Sequence, residues 1–183
     1  MLNLQIYNRR ILAIDLRGRR FGYAMFEGHK RLLDYGMGAY PVGANQEPAI
    51  IGRPLAEVLR LFPPSAIVVK KERWEAPDVT PGARSFMDRM IGEAKFRSIP
   101  ICLIKHDDVR YTFHILDCET KYEIATVLTH FFPELLSKLP PKREIWNSEH
   151  PRMPMFDAIA LGFAYWQHSN TEVPLPPDDP YAD

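Results

Sequence analysis

Residues 10 to 38, RILAIDLRGRRFGYAMFEGHKRLLDYGMG, constrain the fold more than any other part of the chain. RILAID is an apolar run that ends on a carboxylate, RFGYAMFE alternates in character, and RLLDYGMG gives a third short run, with Gly18 and Gly28-His29 at the breaks. Short apolar or alternating runs separated by turn residues are the pattern of strands. Three of them in quick succession, over residues 10–15, 20–27 and 31–38, predict an antiparallel meander.

After a connection containing Pro and Gly, residues 54–62 (PLAEVLRLF) read as a short helix with Pro54 at its first position and Pro63-Pro64 as its stop. SAIVVKKE, residues 65–72, reads as a fourth strand. A helical segment follows within residues 81–98, and Pro100 opens a fifth strand, ICLIK. Residues 119–139 read as a helix interrupted at Pro133, and a last helix spans about residues 154–168. A meander followed by alternating strands and helices predicts an α/β fold with a five-stranded mixed sheet flanked by helices. The predicted domain covers residues 1–168, and the Pro-rich, acidic segment 169–183 reads as a loose tail.

Composition narrows the function classes. A chain of 183 residues with 46% hydrophobic and 25% charged residues suits one soluble domain. Zero formal net charge argues against bulk electrostatic coating of nucleic acid. The charge is unevenly spread: residues 1–60 carry nine Lys and Arg against five Asp and Glu, while residues 121–183 carry five against nine. The amino-terminal half is therefore the expected polyanion face. Cys102 and Cys118 have neither metal-ligand nor redox spacing. No apolar run reaches membrane-spanning length, and MLNLQIYNRR lacks the pattern of a secretory signal, so the expected location is the cytoplasm. The histidines show no ligand spacing, and no glycine-rich nucleotide loop is present.

The chemistry legible in the chain is that of carboxylates. Phosphodiester cleavage by two hard divalent ions needs several Asp or Glu oxygens converging on ions about 4 Å apart. Asp15, closing an apolar strand, serves as such a ligand or as a simple turn cap. Ile11-Leu12-Ala13-Ile14-Asp15 with Gly18 and Gly22-Tyr23, together with Met155-Phe156-Asp157-Ala158-Ile159-Ala160-Leu161, resembles the first strand pair and closing helix of the RuvC-type Holliday-junction resolvases, within the ribonuclease H-like superfamily. The resemblance implies a ribonuclease H-like fold. Asp15 and Asp157 then take metal positions. The family's Glu at the end of the fourth strand aligns with Lys70, and Glu72, two residues on, is expected on the same strand face as its replacement. Pro154 stands where a further first-turn ligand often lies, leaving Glu149 or His150 as auxiliary metal ligands. Asp157 is alternatively a first-turn carboxylate favoured by the helix dipole.

The same resemblance places Arg110 and Lys121 near the scissile phosphate, with Lys121 offsetting charge that develops in the transition state. Arg17 sets a cation beside the proposed metals in the turn after Asp15, Arg17 and Arg19 are expected nucleic-acid-binding residues, and Trp74 lies where a base could stack. The implied activity is a magnesium- or manganese-dependent endonuclease acting on structured, branched DNA, with a homodimer matching a two-fold symmetric junction. The alternative is a catalytically degenerate nucleic-acid-binding or scaffold protein on the same fold. An ion pair between Lys70 and Asp15 favours that alternative.

Overall fold

A computed structural model describes residues 9–40, 49–50, 53–142, 146 and 148–169. The meander forms, with β1 (Arg10–Arg17), β2 (Arg20–Glu27) and β3 (Arg31–Ala39) paired antiparallel. Strand β1 runs two residues past the expected end because pairing with β2 continues to Arg17–Arg20. Asp15 is therefore a paired strand residue rather than a turn cap, and Arg17 lies in the strand rather than the turn. A small hairpin, β4 (Ala49–Ile50) with β5 (Arg53–Pro54), precedes α1 (Leu55–Leu61), where Pro54 is the residue before the helix rather than its first turn. Strand β6 (Ala66–Lys70) follows, then the helical turn α2 (Lys71–Trp74), α3 (Pro81–Phe96) and β7 (Ile101–Ile104). Helices α4 (His106–His114) and α5 (Lys121–Phe131), a 3-10 segment at Pro133–Lys138 and α6 (Met153–Ser169) complete the described chain. The expected tail, 169–183, lies outside the described residues except for Ser169 at the end of α6. Among the described residues no helix is long and apolar enough to cross a membrane.

The five main strands form one mixed sheet in the order β3-β2-β1-β6-β7, with β1, β6 and β7 mutually parallel. This is the predicted α/β, ribonuclease H-like arrangement. Strand β1 is buried on both faces, which explains its near-continuous apolar sequence. Its odd residues Ile11 and Ala13 join Ala24, Phe26, Ala66 and Val68 in a core under α4, α5 and α6. Its even residues Leu12, Ile14 and Leu16 join Phe21, Ile67 and Val69 in a second core under α1 and α3. Both cores are closed by aromatic contacts, Phe21 on Phe86 at 4.5 Å on one face and Phe113 on Phe163 at 5.5 Å on the other.

Two further expectations need correction. Strand β6 stops at Lys70, two residues short of the predicted end, because its pairing with β7 finishes at Lys70–Ile104 and Lys71 begins a helical turn. The alternation that was to carry Glu72 onto the face of Asp15 therefore ends before Glu72. The sequence pattern gives no helix over 106–114, yet these residues fold as helix α4, whose buried side is only Val109, Thr112 and Phe113.

Glycine permits one decisive approach. A Cβ at Gly22 would lie 1.9 Å from the Pro154 carbonyl oxygen, so the start of α6 rests directly on the β2 backbone. Gly22 pairs with Asp15 across the β1–β2 ladder. The absence of a side chain there lowers the closing helix onto the end of β1.

Candidate functional site

Asp15, near the end of β1, is completely buried. It belongs to the odd-numbered set of β1, so its carboxylate points to the α6 face with Ile11 and Ala13. The β1–β6 ladder pairs Ile14 with Val69, and Lys70 comes next on β6, on the same face as Ala66 and Val68. Register alone thus faces Lys70 toward Asp15. The Lys70 ammonium lies 3.5 Å from Asp15 Oδ1, with the two side chains 13% and 0% exposed.

Arg17, on the same side of β1, bridges the sheet to the closing helix. Its Nε donates to Asp15 Oδ2 at 2.7 Å, and its Nη2 donates to Asp157 Oδ2. Asp157 also accepts from Lys121 Nζ at 3.0 Å, and Lys121 reaches on to Glu149. The result is a continuous chain of alternating sign: Lys70, Asp15, Arg17, Asp157, Lys121, Glu149. Its three cations match its three carboxylates in formal charge.

Local structure sets each member. Lys121 is the first residue of α5, whose start is fixed by a capping box: Thr120 accepts from the Glu123 N–H, and the Glu123 carboxylate accepts from the Thr120 N–H. Asp157 is held by α6, which begins at Met153 and carries no acidic residue in its first turn. The helix-dipole account of Asp157 therefore loses its premise, and the Arg17 and Lys121 contacts explain its position instead. On the opposite side of the β1–β2 turn, the Arg17 N–H donates to the Tyr40 hydroxyl at 3.2 Å, and Thr80 donates to the Gly18 carbonyl at 2.9 Å. These bonds tie the turn to the elements around it.

The electrostatics oppose one another. Burial pushes the Asp15 carboxyl above its ordinary value, Lys70 and Arg17 pull it down, and Asp157 adds a further upward push. Burial disfavours the Arg17 charge, but Asp15 and Asp157 outweigh it and hold the guanidinium ionised. Burial also raises the Tyr40 hydroxyl to about 12, so it remains a neutral partner for Arg17.

The other residues singled out in the sequence lie elsewhere. Glu72 accepts twice from the His106 N–H, at 2.9 and 3.0 Å, and so covers the start of α4. Slight burial pushes its carboxyl up, but the His106 hydrogen bond and neighbouring groups outweigh that and leave it below the usual value. His150 Nδ1 accepts from the Arg152 N–H at 3.2 Å. Arg110 is exposed on α4 in a cleft with Asp107, His114 and Glu119. Arg19 is exposed in the β1–β2 turn, and Trp74 is half-buried against the α1–α3 core. The structure therefore gathers Asp15, Asp157, Lys121 and Glu149, and it adds Arg17 as the central link. His150, Arg110 and Trp74 make their contacts apart from this network, while Glu72 hydrogen-bonds at the α4 start and keeps only an electrostatic interaction with Lys70.

Divalent ions of the kind the fold implies are tested by the donor set itself. Asp15 Oδ1 is buried without a hydrogen-bond partner, the one feature that invites a cation. It faces an ammonium. Every other carboxylate of the network is bonded to Arg17 or Lys121, and among the described residues no group of three or more His, Cys, Asp or Glu is arranged to hold a metal. The residues present do not fit a two-ion centre.

No family model matches the sequence, and no curated protein matches it either. Solved structures do match its fold. The Thermus thermophilus RuvC structure in complex with a Holliday junction substrate aligns with TM-score 0.61 at 15% identity, over 89% of this chain and 96% of that one. Another Thermus thermophilus RuvC structure gives 0.59 at 14% identity, over 88% and 96%. The yeast mitochondrial Holliday junction resolvase gives 0.50 at 16% identity, over 91% and 84%.

Proposed function

We propose, from the fold shared with RuvC-type Holliday-junction resolvases, that this chain binds branched DNA and does not cleave it by the two-metal route. The observation that carries this reading is the pairing of buried Asp15 with Lys70 and Arg17, because the position that would gather cations from solution already holds two from the chain. With its centre neutral in sum, the site presents little net repulsion to a phosphate backbone. The exposed Arg19 in the β1–β2 turn and the exposed Arg73, which lines a cleft with Arg17, are the phosphate contacts of this reading. Trp74, next to Arg73 in sequence, is half-buried against the α1–α3 core. A homodimer is part of the reading, since a two-fold symmetric junction is matched by a two-fold symmetric protein.

The second reading is a magnesium- or manganese-dependent nuclease using Asp15, Glu72 and Asp157, with Glu149 or His150 auxiliary. The convergence of Asp15 and Asp157 on one guanidinium favours it, since it shows that the two carboxylates approach each other. Against it stand Lys70 at the fourth-strand position and the engagement of Glu72 at the α4 start.

One experiment separates the two. Fluorescence anisotropy compares four-way junction, single-stranded and linear duplex DNA in EDTA, and strand cleavage is followed in manganese beside an active resolvase. The binding reading expects junction preference in EDTA and intact strands in manganese. Manganese-dependent cutting establishes the nuclease, and equal weak binding to every DNA removes both readings.

A further inference from the structure

We infer that Lys70 and Arg17 are resident counter-ions that take over the charge role of a divalent cation at Asp15, and that position 70 is what withholds a metal site from this centre. The inference rests on the binding reading above and explains how such a fold stands without metal. A fully buried carboxylate demands compensation, and burying an ammonium is equally costly unless it is paired. Both needs are met by one contact set by the parallel β1–β6 register. Arg17 then carries compensation across to Asp157 on α6, as an ion shared by two carboxylates would.

Geometry makes position 70 the deciding one. Asp15 Oδ1 is the only oxygen of Asp15 without a hydrogen bond, and it is the oxygen that faces Lys70. A Glu side chain is one bond shorter than Lys, so a carboxylate at position 70 ends about one bond length farther from Oδ1 than the ammonium does. Adding that to the present 3.5 Å leaves a gap of about 5 Å between oxygens. Oxygen ligands at about 2.1 Å from an octahedral magnesium ion lie about 3 Å apart when adjacent and about 4.2 Å when opposite, so the two carboxylates close on one ion by a side-chain shift of about 1 to 2 Å. Replacing the ammonium therefore converts a closed ion pair into an opening between Asp15 Oδ1 and the new carboxylate, with Asp157 held beyond Arg17.

The test uses the full chain without DNA, so that it is independent of whether branched DNA is bound. Manganese is titrated into wild type, K70E and K70Q, and both thermal midpoint and the electron paramagnetic resonance signal of free manganese are read. Wild type is expected to hold no manganese at millimolar concentration and to melt identically in EDTA and manganese. K70E is expected to bind manganese with loss of the free-ion signal and a concentration-dependent rise in midpoint, on the order of 5 °C once the ion is in about hundred-fold excess over its dissociation constant. If K70E folds only when manganese is added, the inference is supported as well. If K70E does not fold in either condition, K70Q decides, because its uncharged amide leaves Asp15 short of one cation and a manganese-dependent rise is still expected. The inference is overturned if wild type binds manganese as tightly as the variants, or if neither variant responds to manganese more than wild type. Junction binding by wild type in EDTA is scored separately, so loss of the functional reading and loss of this inference give different results.

Discussion

Removing the Lys70 charge while keeping its apolar stem, as in Lys70→Met, isolates the electrostatic part of the network. At the observed 3.5 Å the attraction between ammonium and carboxylate is about 5 kcal/mol with an effective dielectric of about 20. Losing one partner of a buried pair costs about 3 to 5 kcal/mol in comparable settings. Asp15 keeps its 2.7 Å bond to Arg17, however, and Met gains apolar burial, so the expected net loss is about 2 to 3 kcal/mol. For a chain of this size that lowers the thermal midpoint by about 5 to 10 °C. The loss is also pH-dependent with a definite sign. Lys70 pulls the Asp15 carboxyl down against its burial, so its removal drives the carboxyl further up. A carboxyl raised in the folded state binds its proton more tightly there than in the unfolded chain. Its contribution is greatest in acid and is lost as pH rises through the folded value. Urea unfolding of wild type and Lys70→Met at pH 5 and pH 8 reads this directly: the deficit should be larger at pH 8. Equal stability at pH 8, or a deficit that grows toward acid, refutes the charge-pairing account.

Gly22→Val places a side chain against the Pro154 backbone, so α6 must lift from β2; unfolding measurements should show a loss of about 3 kcal/mol or more, with little change for a Gly18→Ala control, whose added Cβ meets nothing within 4 Å. Glu72→Gln weakens the charge-assisted cover of the His106 N–H and should cost about 0.5 kcal/mol at neutral pH, given the exposure of the site. Because the Glu72 carboxyl is lowered in the folded state, the stability it provides is present above the usual carboxyl range and fades as pH falls through its folded value, so variant and wild type should converge in acid unfolding curves. Glu149→Gln releases one of the two carboxylates that hold Lys121; junction affinity should rise several-fold and the salt dependence steepen by about one phosphate contact, measured by anisotropy across a salt series.

The meander and the sheet were readable because β1 and β2 state their burial in their own composition, and short turns leave few ways to connect them. Asp15, Asp157, Lys121 and Glu149 were also readable, and each lies in the network that forms. The role of Arg17 was half visible: a cation beside Asp15 was legible, but it stands there as the next same-face residue of β1 rather than as a turn residue, and its reach to Asp157 depends on how closely α6 lies on Gly22. Glu72 misled because strand period was carried past the last paired residue. Nothing in KKE distinguishes a strand end from a helical turn, and the deciding factor, exhaustion of pairing with β7, is a tertiary fact. Helix α4 was hidden for a similar reason, since three buried positions in nine residues form too narrow a stripe to stand out.

The bridge from Arg17 to Asp157 joins residues 140 positions apart, so it closes nearly the whole domain upon itself. Contacts of such separation are rewarded only after the entropy of bringing the ends together has been met. The network is therefore expected late in folding and early in unfolding, which the folding and unfolding arms of wild type and Lys70→Met in urea would read. Substitutions within it should leave the folding rate nearly unchanged and appear almost entirely as faster unfolding. The same ion pairs that settle the charge of the centre thereby act as the latch that governs how long the folded molecule persists.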